Sequence, residues 1–196
     1  MSEVRPVRHS RSDVVDAAGR LFAARGYHGT SMRDLGRELG VLGSSLYAHI
    51  DGKQELLVEV IDRGAAEFQV SAVAARRVAG GAPARLRALI AGHIDVVLNH
   101  RDEVRTFLNE ASALDDDHRR RVIEARDSYE TLFRDTIAEG VAEGSLRGGV
   151  DPKTTAIFTL SILNAIDRWY RDAGSLDREE LSDRVTAFIL EGIAAP

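Results

Sequence analysis

The sequence predicts an all-α protein of about nine helices. Three observations carry that reading. Apolar residues recur at three- and four-residue spacing, as in Leu86, Leu89, Ile90, Ile94, Val97 and Leu98. Helix-capping Ser and Asp residues and helix-ending glycines fall between such segments. No run alternates apolar and polar residues as a half-buried strand would, and no internal repeat is visible.

Residues 1–12 carry Arg5, Arg8 and Arg11, with Pro6 keeping the stretch extended. They read either as a tail or as an arm that lies along phosphates or enters a minor groove. The first helix, residues 12–26, has Val14, Val15, Ala18, Leu21 and Phe22 on its apolar face. Met32, Leu35 and Leu39 give the second helix its face, and Thr30 or Ser31 caps its start, Ser31 placing Asp34 at the third helical position. Gly40 ends it in the left-handed conformation glycine favours. Val41 and Leu46 then turn inward, leaving Ser44, Ser45, Tyr47 and His49 outward on a third helix. Two short helices across a tight turn make a helix-turn-helix, whose second helix enters a DNA major groove.

Helix four is predicted from about Lys53 to Val78, started by Asp51 with Gln54 or by Gly52 with Glu55. Gly80-Gly81-Ala82-Pro83 is a break. Helix five follows over Pro83 to Asn99, helix six over Asp102 to Leu114, and helix seven over 116 to 143, opened by Asp115, Asp116 and Asp117. Asp151 caps helix eight with Pro152 at its first position, and the helix is expected to run to Ala173, before Gly174. Asp177 with Glu180 starts helix nine, which ends near Gly192.

The head of the chain resembles the DNA-binding domain of TetR-family transcriptional regulators. The resemblance rests on the turn Gly26-Tyr27-His28-Gly29-Thr30, the pair Gly40-Val41, the pair Leu46-Tyr47, and Lys53-Gln54-Glu55-Leu56-Leu57 at the start of helix four. It covers residues 10 to 60. Three departures from the family pattern stand out: Leu42 where Ser or Thr is usual, Gly43 and Ser44 where Lys or Arg often stands, and Ile50 in place of Phe. The fold is expected to tolerate all three; they bear on which bases are read.

The resemblance implies a DNA-binding domain over 1–55 and a helical effector-binding and dimerisation domain over 56–196. The expected DNA contacts are Arg8 and Arg11 in the arm, Thr30, Ser31 and Arg33 beside the backbone, Ser44, Ser45, Tyr47 and His49 on the recognition helix, and Lys53 on a phosphate. Residues 100 to 192 resemble a subgroup associated with fatty-acid, sterol or aromatic acyl-CoA catabolism. That likeness rests on Phe107-Leu108-Asn109-Glu110, on Arg126-Asp127 with Tyr129-Glu130 and Leu132-Phe133, and on Asn164 with Arg168-Trp169-Tyr170. It implies a ligand pocket from Arg105, Phe107, Leu108, Asn109, Tyr129, Phe133, Leu160, Asn164, Arg168 and Trp169, with an acyl-CoA thioester as the candidate effector. Arg119, Arg120, Arg121 and Arg126 are further cations for its phosphates.

Helix eight carries Ala156, Ile157, Leu160, Ile162, Leu163, Ala165 and Ile166, and helix nine adds Leu181, Val185, Phe188 and Ile189. A helix apolar all round must be covered on both sides, so helices eight and nine are expected to form a homodimer as a four-helix bundle.

Composition narrows the class. Net charge is −5, but eight basic and seven acidic residues fall within 1–55, leaving 18 basic and 24 acidic beyond. A mildly basic head on an acidic body suits a DNA reader whose body stays off DNA. There are no cysteines, so no disulfide or thiolate metal site, in keeping with a cytoplasmic location. No apolar run reaches the roughly 18 residues of a membrane span, and the start lacks the apolar stretch of a secretory signal. None of the six histidines lies in an HExxH spacing, and no strand precedes Gly36, Gly40 and Gly43 to make a dinucleotide loop. No catalysis, metal or cofactor is expected. The sequence thus points to a ligand-responsive regulator binding double-stranded operator DNA as a homodimer. The alternative is a DNA-binding structural or co-regulatory protein with no effector.

Overall fold

A computed structural model describes residues 9–48 and 50–194. The described residues form nine α-helices and no strand, save one isolated bridge between Leu146 and Ala194.

Helix α1 (Arg11–Arg25) is capped by Ser10, whose side chain accepts the Asp13 amide while Asp13 reaches back to Ser10. Ser31 and Asp34 make the same reciprocal cap for α2 (Met32–Leu39), satisfying two amides that a helix start leaves unpaired. Gly40 leaves α2 at φ 68°, as the sequence predicts. The third helix is shorter than its pattern suggested. Helix α3 spans only Gly43–Leu46. The Ala48 amide bonds the Ser45 carbonyl, a tightening that turns the chain toward buried Ile50.

At the start of helix α4 (Lys53–Arg76) the Gly52 carbonyl accepts the Leu56 amide at 3.3 Å. The Glu55 carboxylate accepts the Asp51 amide at 2.5 Å. Helix α5 (Gly81–Asn99) begins two residues before Pro83, after Gly80 at φ 112°. The sixth helix stops early: α6 is Arg101–Asn109, followed by a 3₁₀ turn at Ala111–Ala113. Helix α7 covers Asp116–Ala142. Helix α8 (Pro152–Trp169) has the predicted Asp151 cap and N1 proline but ends four residues short of Ala173, because buried Tyr170 adopts an extended conformation. Helix α9 is Arg178–Ile193, and Asp177 accepts the Glu180 amide at 2.8 Å.

The chain forms two compact units. One runs to Gly64 and takes in Asp102–Val122; the other holds Ala65–Arg101 and the chain from Ile123 onward. The sequence boundary at 55/56 falls inside the first turn of α4, nine residues short of the structural division. The sequence also gave no sign that α6 sits with the head. Gly64 permits it: a Cβ there would lie 2.9 Å from the Glu103 carbonyl, so only glycine lets α4 and α6 approach so closely.

The first unit is built on Val14, Leu21, Phe22, Leu35, Leu46, Leu56, Leu57, Val60 and Val104, all buried. The second is built on Leu86, Ile90, Ile94, Phe133, Ile137, Leu163 and Ile166. Each such side chain contributes about 1.5–3 kcal/mol on burial.

Candidate nucleic-acid interface and effector region

The helix-turn-helix is held by a glycine crossing. A Cβ on Gly36 would lie 2.7 Å from both the Val41 carbonyl and the Gly43 amide. A Cβ on Gly43 would lie 2.8 Å from the Met32 carbonyl. The backbones of α2 and α3 therefore touch, and the Val41 amide bonds the Gly36 carbonyl at 2.8 Å across the turn. Gly43, a departure from the family pattern, is needed for this contact.

The crossing presents a short, open surface. Leu42, Ser44, Ser45, Tyr47 and Ala48 are exposed, while Leu46 points into the core. Leu42 is 75% exposed and Tyr47 56%. Leu42 occupies the N-cap position without a side-chain cap bond, where a Ser or Thr would supply one. Ser31 and Arg33 are also exposed, with Ser31 engaged in its capping box.

Two of the expected DNA contacts, Thr30 and Lys53, bond within the head. Thr30 is buried, its hydroxyl facing the carbonyls of Gly26 at 3.0 Å and Leu21 at 3.3 Å. The Lys53 ammonium donates to the carbonyls of Tyr27 and Thr30, both at 2.8 Å, and lies 4.0 Å from the centre of the Tyr27 ring. The turn before α2 thus holds that cation through two carbonyls. Arg11 is engaged with Glu55, and with Glu59 at 3.0 Å. Those carboxylates hold its guanidinium pKa above the usual value. Arg8 and His49 lie outside the described residues.

Around Tyr27 runs a network the sequence did not disclose. The Tyr27 hydroxyl donates to Gln54 Oε1 at 2.8 Å, and the Gln54 amide donates to the Ala113 carbonyl at 3.2 Å. The Tyr27 backbone amide donates to Glu110 Oε2 at 3.0 Å. The turn before α2 is thus fastened to the end of α6. Tyr27, Gln54 and Glu110 each stand in a stretch that carries the resemblance, but nothing in their spacing joins them.

The effector candidates divide between the units. Arg105, Phe107, Leu108 and Asn109 belong to the first; Tyr129, Phe133, Leu160, Asn164, Arg168 and Trp169 belong to the second. Asn109 is exposed and bonds its own helix at the Arg105 carbonyl. Arg168 and Trp169 are exposed, Leu160 half-buried. Arg119 bonds the Leu114 carbonyl and Asp116, and Arg120 bonds Asp117, so these two cations are engaged locally.

Tyr129, Phe133 and Asn164 do come together, around a residue the sequence reading passed over. His93 is 2% exposed. Its Nδ1 lies 3.2 Å from the Tyr129 hydroxyl, and its Nε2 lies 3.2 Å from Asn164 Oδ1. Since Asn164 Oδ1 only accepts, Nε2 carries the proton and Nδ1 accepts from Tyr129. Burial pushes the His93 pKa down to about 3, against a smaller upward pull from Asn164. Burial also raises the Tyr129 pKa. Phe68 lies 4.8 Å from the His93 ring and 5.3 Å from the Tyr129 ring, and Phe133 lies 5.5 Å from Tyr129. An apolar face with histidine spaced four from Leu89 and Val97 was the available signal.

Among the open clefts of the second unit, two lie against α4 and α5. One, of about 410 Å³, is lined by Glu67, Val70, Ser71, Gly92, Val96 and His100, among others. Another, of about 270 Å³, includes Arg85, Leu89, Leu132, Thr136 and Glu139. None of the ten ligand candidates lines either cleft. The rings of Phe68 and Tyr129 are instead closed on His93, with Phe133 against Tyr129.

Among the described residues no cluster of ligating side chains could hold a metal ion, and no helix is long and apolar enough to cross a membrane. Exposed apolar residues gather on α8 (Ile157, Phe158, Trp169) and α9 (Phe188, 70% exposed).

Residues 14–60 match the family of bacterial regulatory proteins described as the tetR family. Residues 79–193 match the tetracyclin repressor-like C-terminal domain. The HTH-type transcriptional repressor KstR2 of Rhodococcus jostii (strain RHA1) is 28% identical over 95% of this chain and 92% of its own length. The structure of the ketosteroid transcriptional regulator KstR2 of Mycobacterium tuberculosis superposes with a TM-score of 0.90 at 23% identity, covering 97% of each chain. That of AibR in complex with isovaleryl coenzyme A and operator DNA superposes with a TM-score of 0.82 at 26% identity, over 90% of this chain and 96% of the other.

Proposed function

The chain belongs to the TetR family of bacterial regulatory proteins, and from that premise we infer that it is a transcriptional repressor released from its operator by a small effector with an apolar acyl chain, an acyl-CoA thioester. Residues 1–55 read DNA, and residues 56–196 bind the effector and form the dimer. The protein acts in the cytoplasm, where bacterial operators lie.

The observation that carries the reading is the glycine crossing of Gly36 and Gly43, which holds an open stretch from Leu42 to Tyr47 on a fixed frame. Ser44, Ser45 and Tyr47 face the bases; Ser31 and Arg33 flank the phosphates, with Arg8, Arg11 and His49 beside them. Lys53 and Thr30 act on DNA indirectly, by fixing the turn that positions α2.

A homodimer through α8 and α9 covers Ile157, Phe158 and Phe188, and sets two reading stretches roughly 34 Å apart in successive major grooves. A dimer resting on another surface would leave these residues exposed.

The effector class is supported by AibR, whose structure holds isovaleryl coenzyme A. The apolar cluster of Phe68, Tyr129 and Phe133, with His93 and Asn164 as polar groups, has the chemistry of a short acyl chain's pocket. To admit a ligand those rings must part. Release then requires the thioester to prefer the parted state, since equal affinity for both states shifts nothing.

Genomic fragments selected by the full-length protein supply the operator for the test. Tyr47→Ala should weaken binding without lowering the melting temperature. Phe158→Glu with Phe188→Glu should give monomers in sedimentation. A chemically varied set of acyl-CoA thioesters that leaves binding untouched would favour the effector-free alternative.

A further inference from the structure

We propose that Leu42 is a specificity-determining residue of the DNA interface, seating the 5-methyl group of a thymine in the major groove. The proposal rests on the DNA-reading function inferred above and adds the base feature that is read.

Three observations converge on Leu42. It is the most exposed large apolar side chain among the described residues, at 75%, and it stands at the entry to α3. A leucine there leaves the helix start without a side-chain cap, so the position gives up a local hydrogen bond. Its backbone is also fixed. The Ser45 amide bonds the Leu42 carbonyl at 2.9 Å, and the next residue, Gly43, lies against the Met32 carbonyl. A side chain set on so rigid a frame reaches one place rather than many.

The chemistry of the surrounding stretch selects the occupant. From Val41 to Ala48 there is no charged side chain and no Asn or Gln. The bidentate pairs that pick out guanine or adenine are therefore missing from this stretch. Ser44 and Ser45 carry hydroxyls that donate and accept, so they bond to any base. Beyond the hydroxyls of Ser44, Ser45 and Tyr47, the group left to discriminate is apolar, and the apolar feature a base pair shows in the major groove is the thymine methyl.

The test uses full-length protein and an operator selected from genomic fragments, with each thymine replaced in turn by deoxyuridine, which removes only the methyl. At one thymine in each half-site, uracil should weaken wild-type binding about four-fold, the worth of one buried methyl group. Leu42→Ala should lose a similar factor on the thymine operator and show no further loss with uracil at that position. Leu42→Met, which keeps an apolar reach, should retain the uracil sensitivity. Melting temperatures of both variants should match wild type, since the side chain is exposed. Uracil sensitivity of equal size in Leu42→Ala, or no sensitive thymine at all, overturns the proposal while leaving DNA reading intact. A wild-type protein that selects no fragment overturns both.

Discussion

The Glu110 carboxylate accepts the backbone amide of Tyr27 at 3.0 Å, joining the end of α6 to the turn that opens the helix-turn-helix. Eighty-three residues separate the two partners. Glu110 also rests against Gly26, where a Cβ would lie in ordinary van der Waals contact with its Oε1 at 3.5 Å. Glu110→Ala leaves a part-buried amide unpaired, which costs about 1–3 kcal/mol. Denaturant titration should show that loss, and hydrogen exchange should show faster opening at Tyr27. Glu110→Gln, which keeps an acceptor, should recover most of it. Equal stability of Glu110→Ala and wild type would remove this contact from the account.

Gly43 is predicted to be irreplaceable. Ala at this position brings a methyl carbon within 2.8 Å of the Met32 carbonyl, a backbone atom that cannot swing aside. Gly43→Ala should lose about 1–3 kcal/mol, as overpacked sites do, and operator affinity with it. Gly148→Ala, where a Cβ meets nothing within 4 Å, is the control and should be near neutral. An alanine at 43 as stable as the control would contradict the crossing.

Lys53 should matter for stability rather than for phosphate attraction. Its ammonium makes two charge-assisted bonds to carbonyls of one turn. Lys53→Ala should therefore cost about 2 kcal/mol after allowance for partial exposure. The slope of log affinity against log salt should match wild type. A slope shallower by about one unit would return Lys53 to the phosphate contacts.

His93 makes stability depend on pH. Its folded pKa, about 3, lies below the unfolded value near 6.5. Between those values the unfolded chain binds more protons, so stability rises with pH and falls as pH drops below about 6.5. From pH 7.5 to 5.5, wild type should lose about 1 kcal/mol more than His93→Asn in urea titrations. Equal losses would mean that His93 is not held neutral.

Local chemistry was readable from the residues. Ser31 three before Asp34, Asp151 before Pro152, and Gly40 after Leu39 each specify a helix end without help from distant parts of the chain. So was the apolar face of α5, which spacing alone defines. What spacing does not hold is which helix meets which. Glu110 meeting Tyr27 and Gly64 meeting Glu103 depend on a chain path that returns after 83 and 39 residues. The two carbonyls that Lys53 bonds are not written in the Lys-Gln-Glu-Leu-Leu run that carries the resemblance. His93 was hidden because a histidine among leucines reads as surface until Tyr129 and Asn164 are seen to satisfy both ring nitrogens. The four-residue length of α3 follows from the burial of Ile50, a tertiary demand that the helical pattern through His49 does not express.

Fluorescence anisotropy of a labelled operator, titrated with full-length protein and then with acyl-CoA thioesters, tests the central claim most directly. The account predicts saturation at an even number of subunits per duplex, two for each palindromic site, and a fall in anisotropy as at least one thioester is added. Saturation by single subunits, or a complex that no thioester in a chemically varied set dissociates, would contradict it.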